Sequence, residues 1–210
     1  METISTGRRK VGMMKEIDFL LKSLELKDEK RTGWELRNIE EPESVADHSW
    51  GVALLTLIYS DKDGLDTGKC IKMALIHDLA EYQTGDLVTR AESDMQEISK
   101  NQKEKLEHRA MDELTGLIDG EEVLLLWKEY EHRETEEAKF VKDMDMIDLC
   151  LTALKYEKQG RYDPGEDNEN FQEYDNLDEF FATTETRLST ETGKQLFKEI
   201  KERYNKAKEK

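Results

Sequence analysis

The chain has 210 residues, enough for one domain with a substantial core, and carries 39% charged and 36% hydrophobic residues with a formal net charge of -17. That acidity argues against duplex nucleic acid and anionic membrane as main partners, and no run approaches the roughly 18 apolar residues of a membrane span. The opening METISTGRRKVGMMK lacks the apolar stretch of a signal peptide, and Cys70 and Cys150 form no disulfide framework, so a cytoplasmic setting is expected.

Ile17, Leu20, Leu21 and Leu24 recur at helical spacing and predict an amphipathic helix over 14–26, broken at RTGW (31–34). EPESVAD then reads as a helix start, with Ser44 as N-cap and Asp47 three residues on. The helix over about 45–60 is apolar round most of its circumference (Val45, Val52, Leu54, Leu55, Leu57, Ile58) and is expected to be central. A helix over about 67–83 stops near Gly85, and a loop follows over 84–93. Next come a charged helix over 94–118, with Leu106, Ala110, Leu114 and Leu117 inward, and helices over 121–131 and 135–158. An acidic, aromatic loop, GRYDPGEDNENFQEYDN, precedes short helices over about 176–188 and 191–208. With no alternating β-pattern, the expected fold is all-α, one compact domain over 1–210. Its core spans about 14–158, with a helical extension over about 159–210. Met13, Met14, Met73, Met144 and Met146 read as core filler, and His108 and His132 as solvated.

MALIHDLAEYQTGD (73–86) places His77, Asp78 and Glu81 at i, i+1 and i+4 inside an apolar run. On a continuous helix, residues three and four apart share a face, so an imidazole and two carboxylates would face the core together. His48, in DHSWGVALL, shares the stripe of Val52, Leu55 and Tyr59. Burying carboxylates is expensive unless they are paired, protonated or bound to a cation. A mixed N/O set suits a divalent metal with open positions. The plain alternative is a hydrogen-bonded core histidine beside a chance HD dipeptide.

The pattern H…HD…D resembles the HD-domain metal-dependent phosphohydrolases. RTGWELRNIEEPESVADH, CIKMALIHDLAEYQTGD and KEYEHRETEEAKFVKDMD, in that order, are similar to its 5′-deoxynucleotidase branch over roughly residues 14–158. The resemblance implies His48, His77, Asp78 and Asp145 as metal ligands. It implies Glu81 and Asp86 as catalytic groups, with a possible second cation at Glu81, Asp86 and Leu87. Arg31 and Trp34 fall at the substrate-binding slot, separated by Thr-Gly where bacterial members have them adjacent. GDLVT (85–89) falls at a nucleotide-contacting loop, which makes Leu87, Val88 and Thr89 substrate-binding candidates beside Asp78, Asp86 and Asp145. A homodimer paired through helices is also implied.

The chemistry is consistent with those types. A divalent ion polarises phosphoryl oxygens and activates water, and a His₂Asp₂ set accepts Mn, Co, Mg or Zn. Arg31 offers a bidentate grip on phosphate, Glu81 or Asp86 a proton shuttle, and Trp34 a surface for a base or a seal. Against these stand a solvated Arg31, a core Trp34 and a turn residue at Asp86. The expected substrate is a small nucleotide, a deoxyribonucleoside monophosphate. Another nucleotide (triphosphate, cyclic nucleotide or alarmone) and a helical interaction module with a structural metal remain alternatives. In FVKDMDMIDLC three aspartates compete for one ligand position. A wheel at about 100° per residue favours Asp148, whereas the resemblance chooses Asp145.

Overall fold

The computed structural model describes residues 2–88, 98–166, 168 and 174–209, with side chains from residue 12 onward. Among them the chain is helical: α1 (Glu2–Leu24), α2 (Thr32–Leu36), α3 (Val45–Tyr59), α4 (Thr67–Ile76), α5 (Glu81–Thr84), α6 (Lys100–Thr115), α7 (Glu121–His132), α8 (Glu136–Gln159), α9 (Asp178–Glu185) and α10 (Glu191–Lys208). A single isolated bridge, Lys30 with Ser44, is the β-pairing among the described residues. No helix is long and apolar enough to cross a membrane.

Local chemistry sets the boundaries. Ser44 and Asp47 close a reciprocal capping box at the start of α3, satisfying two backbone donors that lack helical partners. Ser99 and Gln102 do the same for α6, and Thr135 caps α8, which ends at Gly160 with a positive φ of 61°. Helix α8 is the hub: α3, α4, α7, α9 and α10 all pack on it. Its Phe140, Met144, Ile147, Cys150 and Ala153 are fully or almost fully buried. A second cluster gathers Val45, Leu79, Met111, Leu114 and Trp127 where α5, α6 and α7 meet the start of α3.

Several expectations are corrected. The 67–83 helix is not continuous: α4 stops at Ile76, and residues 77–80 form turns with tighter bonds from Leu79 N–H to the Ile76 carbonyl and from Glu81 N–H to the Asp78 carbonyl. Such i→i+3 bonding eclipses successive side chains and redirects them. The even i, i+4 face drawn through His77 and Glu81 is therefore replaced by a bent one. Helix α3 is central on one side only, since Trp50, Leu54, Leu57 and Ile58 are exposed. The α1 stripe of Ile17, Leu20, Leu21 and Leu24 also faces outward, with Met13 and Met14, and so does Leu106. Of the five methionines, Met73, Met144 and Met146 are buried. The 94–118 helix is described as a helix over 100–115, and its expected start lies outside the described residues, as do much of the 84–93 loop and of the acidic loop. His132 is exposed, but His108 is half-buried edge-on against Trp127.

Candidate active site

The buried turn after α4 and the inner faces of α3 and α8 converge at the floor of a cleft. His77 Nδ1 lies 2.8 Å from the Ala74 carbonyl, a bond that needs the proton on Nδ1. Its Nε2 then carries a lone pair, and this buried atom has no hydrogen-bond partner. It sits 3.0 Å from Asp78 Oδ2, which also reaches to 3.8 Å from His48 Nε2. His48 Nε2 is 3.1 Å from Asp145 Oδ1. Candidate ligand atoms of His48, His77 and Asp145 all lie within 4.8 Å of one another. The facing nitrogens of two imidazoles with an Asp145 oxygen, and Asp78 Oδ2 beside both rings, form a donor set that suits a divalent cation. The orphaned His77 Nε2 is the observation that makes the residues fit one.

Charge compensates around that point. Burial pushes the Asp145 carboxyl up, but Lys142 (Nζ 2.6 Å away) and His48 outweigh it and hold it well below the usual range. Tyr130 donates to the same oxygen at 2.8 Å. Asp78 is likewise raised by burial, and the Arg31 guanidinium 3.2 Å away acts to hold it low. Burial and Arg31 lower His48, yet hydrogen bonds to Asp145 and Asp148 carry it up to about 10, so without a cation both ring nitrogens hold protons and a bound cation would take the place of the one on Nε2. Asp145, not Asp148, faces the two histidines. The wheel misleads because α8 is packed on several sides, so the most apolar direction does not point at the site. Asp143 serves elsewhere: it accepts from the backbone and hydroxyl groups of Ser189 and Thr190, tying down the start of α10.

Arg31 N-caps α2 and directs one guanidinium nitrogen at Asp78 (3.2 Å), Asp86 (3.1 Å) and Glu81 (3.9 Å). Despite burial, those carboxylates raise its pKa further. Asp86 also accepts from Thr32 N–H at 2.7 Å, so it braces α2 against the loop after Gly85. Glu81 is buried, with Oε2 lacking a hydrogen-bond partner, and burial, Asp78 and Asp86 push its carboxyl well above the usual range. Leu87 and Val88 line the cleft, and the Leu87 carbonyl accepts from Lys103 Nζ at 2.8 Å. Thr89 lies outside the described residues. Trp34 reaches the cleft wall but is fully buried. Its indole N–H donates to Glu43 at 3.0 Å and its ring lies 4.1 Å from that of Phe180, so a packed aromatic already covers a face expected to meet a base.

The cleft has a volume of about 120 Å³. Its other wall was invisible in the sequence: Met146 and Leu149 of α8, Phe180 and Thr183 of α9, and Arg187 beyond it. Helix α9 is held there by Tyr204 of α10, whose hydroxyl accepts from Leu177 N–H at 2.8 Å and whose ring stacks on Phe181 at 4.3 Å. Lys103 was equally missed. Its i, i+4 spacing to Glu107 was the available signal.

Fold and donor set together define an all-helical protein with a buried His/Asp centre suited to a divalent cation. Residues 24–185 match the HD domain family, and the chain belongs to it. It is 43% identical over 137 residues to 5′-deoxynucleotidase HDDC2 of Xenopus laevis, covering 64% of this chain and 65% of that protein. It is 38% identical over 149 residues to the human protein of the same name, covering 70% of each. The chain thus matches about two thirds of the length of these curated relatives. Among solved structures, a conserved hypothetical protein from Pyrococcus furiosus is 31% identical with a TM-score of 0.69, covering 90% of this chain and 99% of that one.

Proposed function

We propose that the protein hydrolyses the 5′-phosphate of deoxyribonucleoside monophosphates with a divalent metal, giving deoxynucleoside and phosphate. The convergence of the unpartnered His77 Nε2 with Asp78, Asp145 and His48, beneath a cleft that also presents Arg31 and Lys103, carries this reading. The names of the relatives contribute the substrate class and its deoxy preference.

His48, His77, Asp78 and Asp145 would hold the cation, a donor set compatible with Mn, Co, Mg or Zn. When bound, it supplies Lewis-acid polarisation of a phosphoryl oxygen and activation of water. Glu81, kept protonatable by burial and its carboxylate neighbours, holds and returns a proton at the reacting oxygens. Arg31 orients Asp78, Glu81 and Asp86 and keeps guanidinium donors for phosphate. Asp86, with the Leu87 carbonyl, borders the entrance and offers a second cation position with Glu81. Trp34 seals the floor, and Val88 lines the cleft where the nucleotide would lie. Phosphate release from a panel of nucleotides, with each metal added after chelation, tests the reading. Deoxyribonucleoside monophosphates should be turned over fastest. Preferential cleavage of a triphosphate or cyclic nucleotide would sink it.

Two exposed apolar stripes, Met13, Ile17, Leu20 and Leu24 on α1 and Trp50, Leu54, Leu57 and Ile58 on α3, support a second copy of this chain as partner. Sedimentation should give a dimer that Trp50→Glu with Leu54→Glu dissociates. A monomeric wild type would refute the pairing. Cys70 and Cys150, free and buried, support a reducing, cytoplasmic setting.

A further inference from the structure

Gly51 lies three residues after His48 on α3, against α8. A Cβ placed there would sit 2.1 Å from Asp148 Oδ1, 2.8 Å from its Cγ and 3.1 Å from Oδ2. No real contact is that short, so any other residue at 51 would expel the Asp148 carboxylate. The atoms that Gly51 makes room for belong to this side chain, and not to the α8 backbone. Close helix approach alone therefore does not account for the glycine. The carboxylate is buried, and its Oδ2 lies 2.8 Å from His48 Nδ1. Glu43, which also comes within 4.8 Å of both groups, is occupied by Trp34 Nε1 and by the Thr152 hydroxyl at 3.2 Å.

We infer that Asp148 is a positioning residue for the metal centre and that Gly51 exists to seat it. A carboxylate accepting from Nδ1–H holds the proton on that nitrogen. It fixes the ring plane and leaves Nε2, on the side of Asp145 and Asp78, as the nitrogen that a cation would bind in place of a proton. His77 obtains the same tautomer from the Ala74 carbonyl, 2.8 Å from its Nδ1. The two histidines are thus oriented by different devices, one within its own helix and one across two helices. The inference rests on His48 being a ligand, as proposed above.

The test is titration of metal-stripped protein with Co(II), reading dissociation constant and visible absorption in wild type, Asp148→Asn and Gly51→Ala. Asp148→Asn should weaken Co(II) about 10- to 100-fold and alter the spectrum. Gly51→Ala should reproduce both changes although it removes no polar group, and the double variant should be little worse than the worse single one. Wild-type affinity and spectrum in Asp148→Asn would overturn the inference even if its melting temperature falls, because a purely structural carboxylate would lower stability alone. If one variant fails to fold, the other decides. Failure of both would assign the pair to the core and also overturn it. A wild type that binds no Co(II) would instead refute the ligand reading of His48.

Discussion

The two walls of the cleft are built from opposite materials. One, from α3, the turn after α4 and the inner side of α8, concentrates buried polar groups: His48, His77, Asp78 and Asp145 lie together, and Glu81, its carboxyl pushed up by burial, sits beside Arg31. The other, from Leu149, Phe180 and Thr183 with Trp34 beneath, is largely apolar and is held in place by α10. Charge at the first wall is costly for folding and is retained where chemistry needs it. The second wall stabilises the fold and shapes the space for a ligand at the same time. Substitutions on the first side should therefore separate activity from stability, and those on the second should move both.

The largest effect is expected at the ligands. His77→Ala or Asp145→Asn should abolish metal binding and turnover, whereas Asp143→Asn should keep both and lose about 1–2 kcal/mol of stability, since only the seat of α10 is weakened. Metal analysis beside thermal melts checks this. A metal-free Asp143→Asn would erase the distinction between the α8 aspartates.

Glu81→Gln should retain the first metal while kcat falls about 10²-fold or more, the usual scale for a general acid or base. If that variant lost its metal, Glu81 would be a ligand. On the apolar wall, Phe180→Ala should cost about 3 kcal/mol. It should also raise KM several-fold with a smaller change in kcat, read from melts and steady-state kinetics. An unchanged KM would detach α9 from ligand binding.

The smallest effect concerns Glu107, beside Lys103 on the charged side. Burial raises its carboxyl to about 7, from an ordinary 4.5. A carboxyl with a raised folded-state pKa stabilises the fold while protonated. That contribution is complete below about pH 4.5 and is lost as pH rises through 7. Glu107→Gln should flatten this slope and gain about 1 kcal/mol relative to wild type near pH 8. Identical stability–pH curves for the two proteins would show that Glu107 is not the cause.

Helix identity, the Ser44 cap and the polar His77–Asp78 pair in an apolar run were legible because each depends on neighbours close in sequence. Periodicity, capping chemistry and an HD dipeptide in an apolar run all act within a few residues. The all-α class follows from the same local rules, and the resemblance to the HD family named the ligand set. Which faces are covered did not follow. The apolar stripes of α1 and the outer side of α3 look like core in sequence, yet among the described residues they are exposed. The break at His77 was hidden because helix and tight turn share the same residue spacing until the backbone bonds are seen. The three aspartates of α8 went to different tasks, Asp143 to α10, Asp145 to the two histidines and Asp148 to the back of His48, according to which segment lies against each. Phe180 and Arg187 became cleft residues only when Tyr204 and Asp143 anchored the carboxy-terminal helices against α8. Local sequence sets what each segment can be, and long-range packing decides what it faces, because a side chain's hydrogen-bond partners here come from as far as 132 positions away.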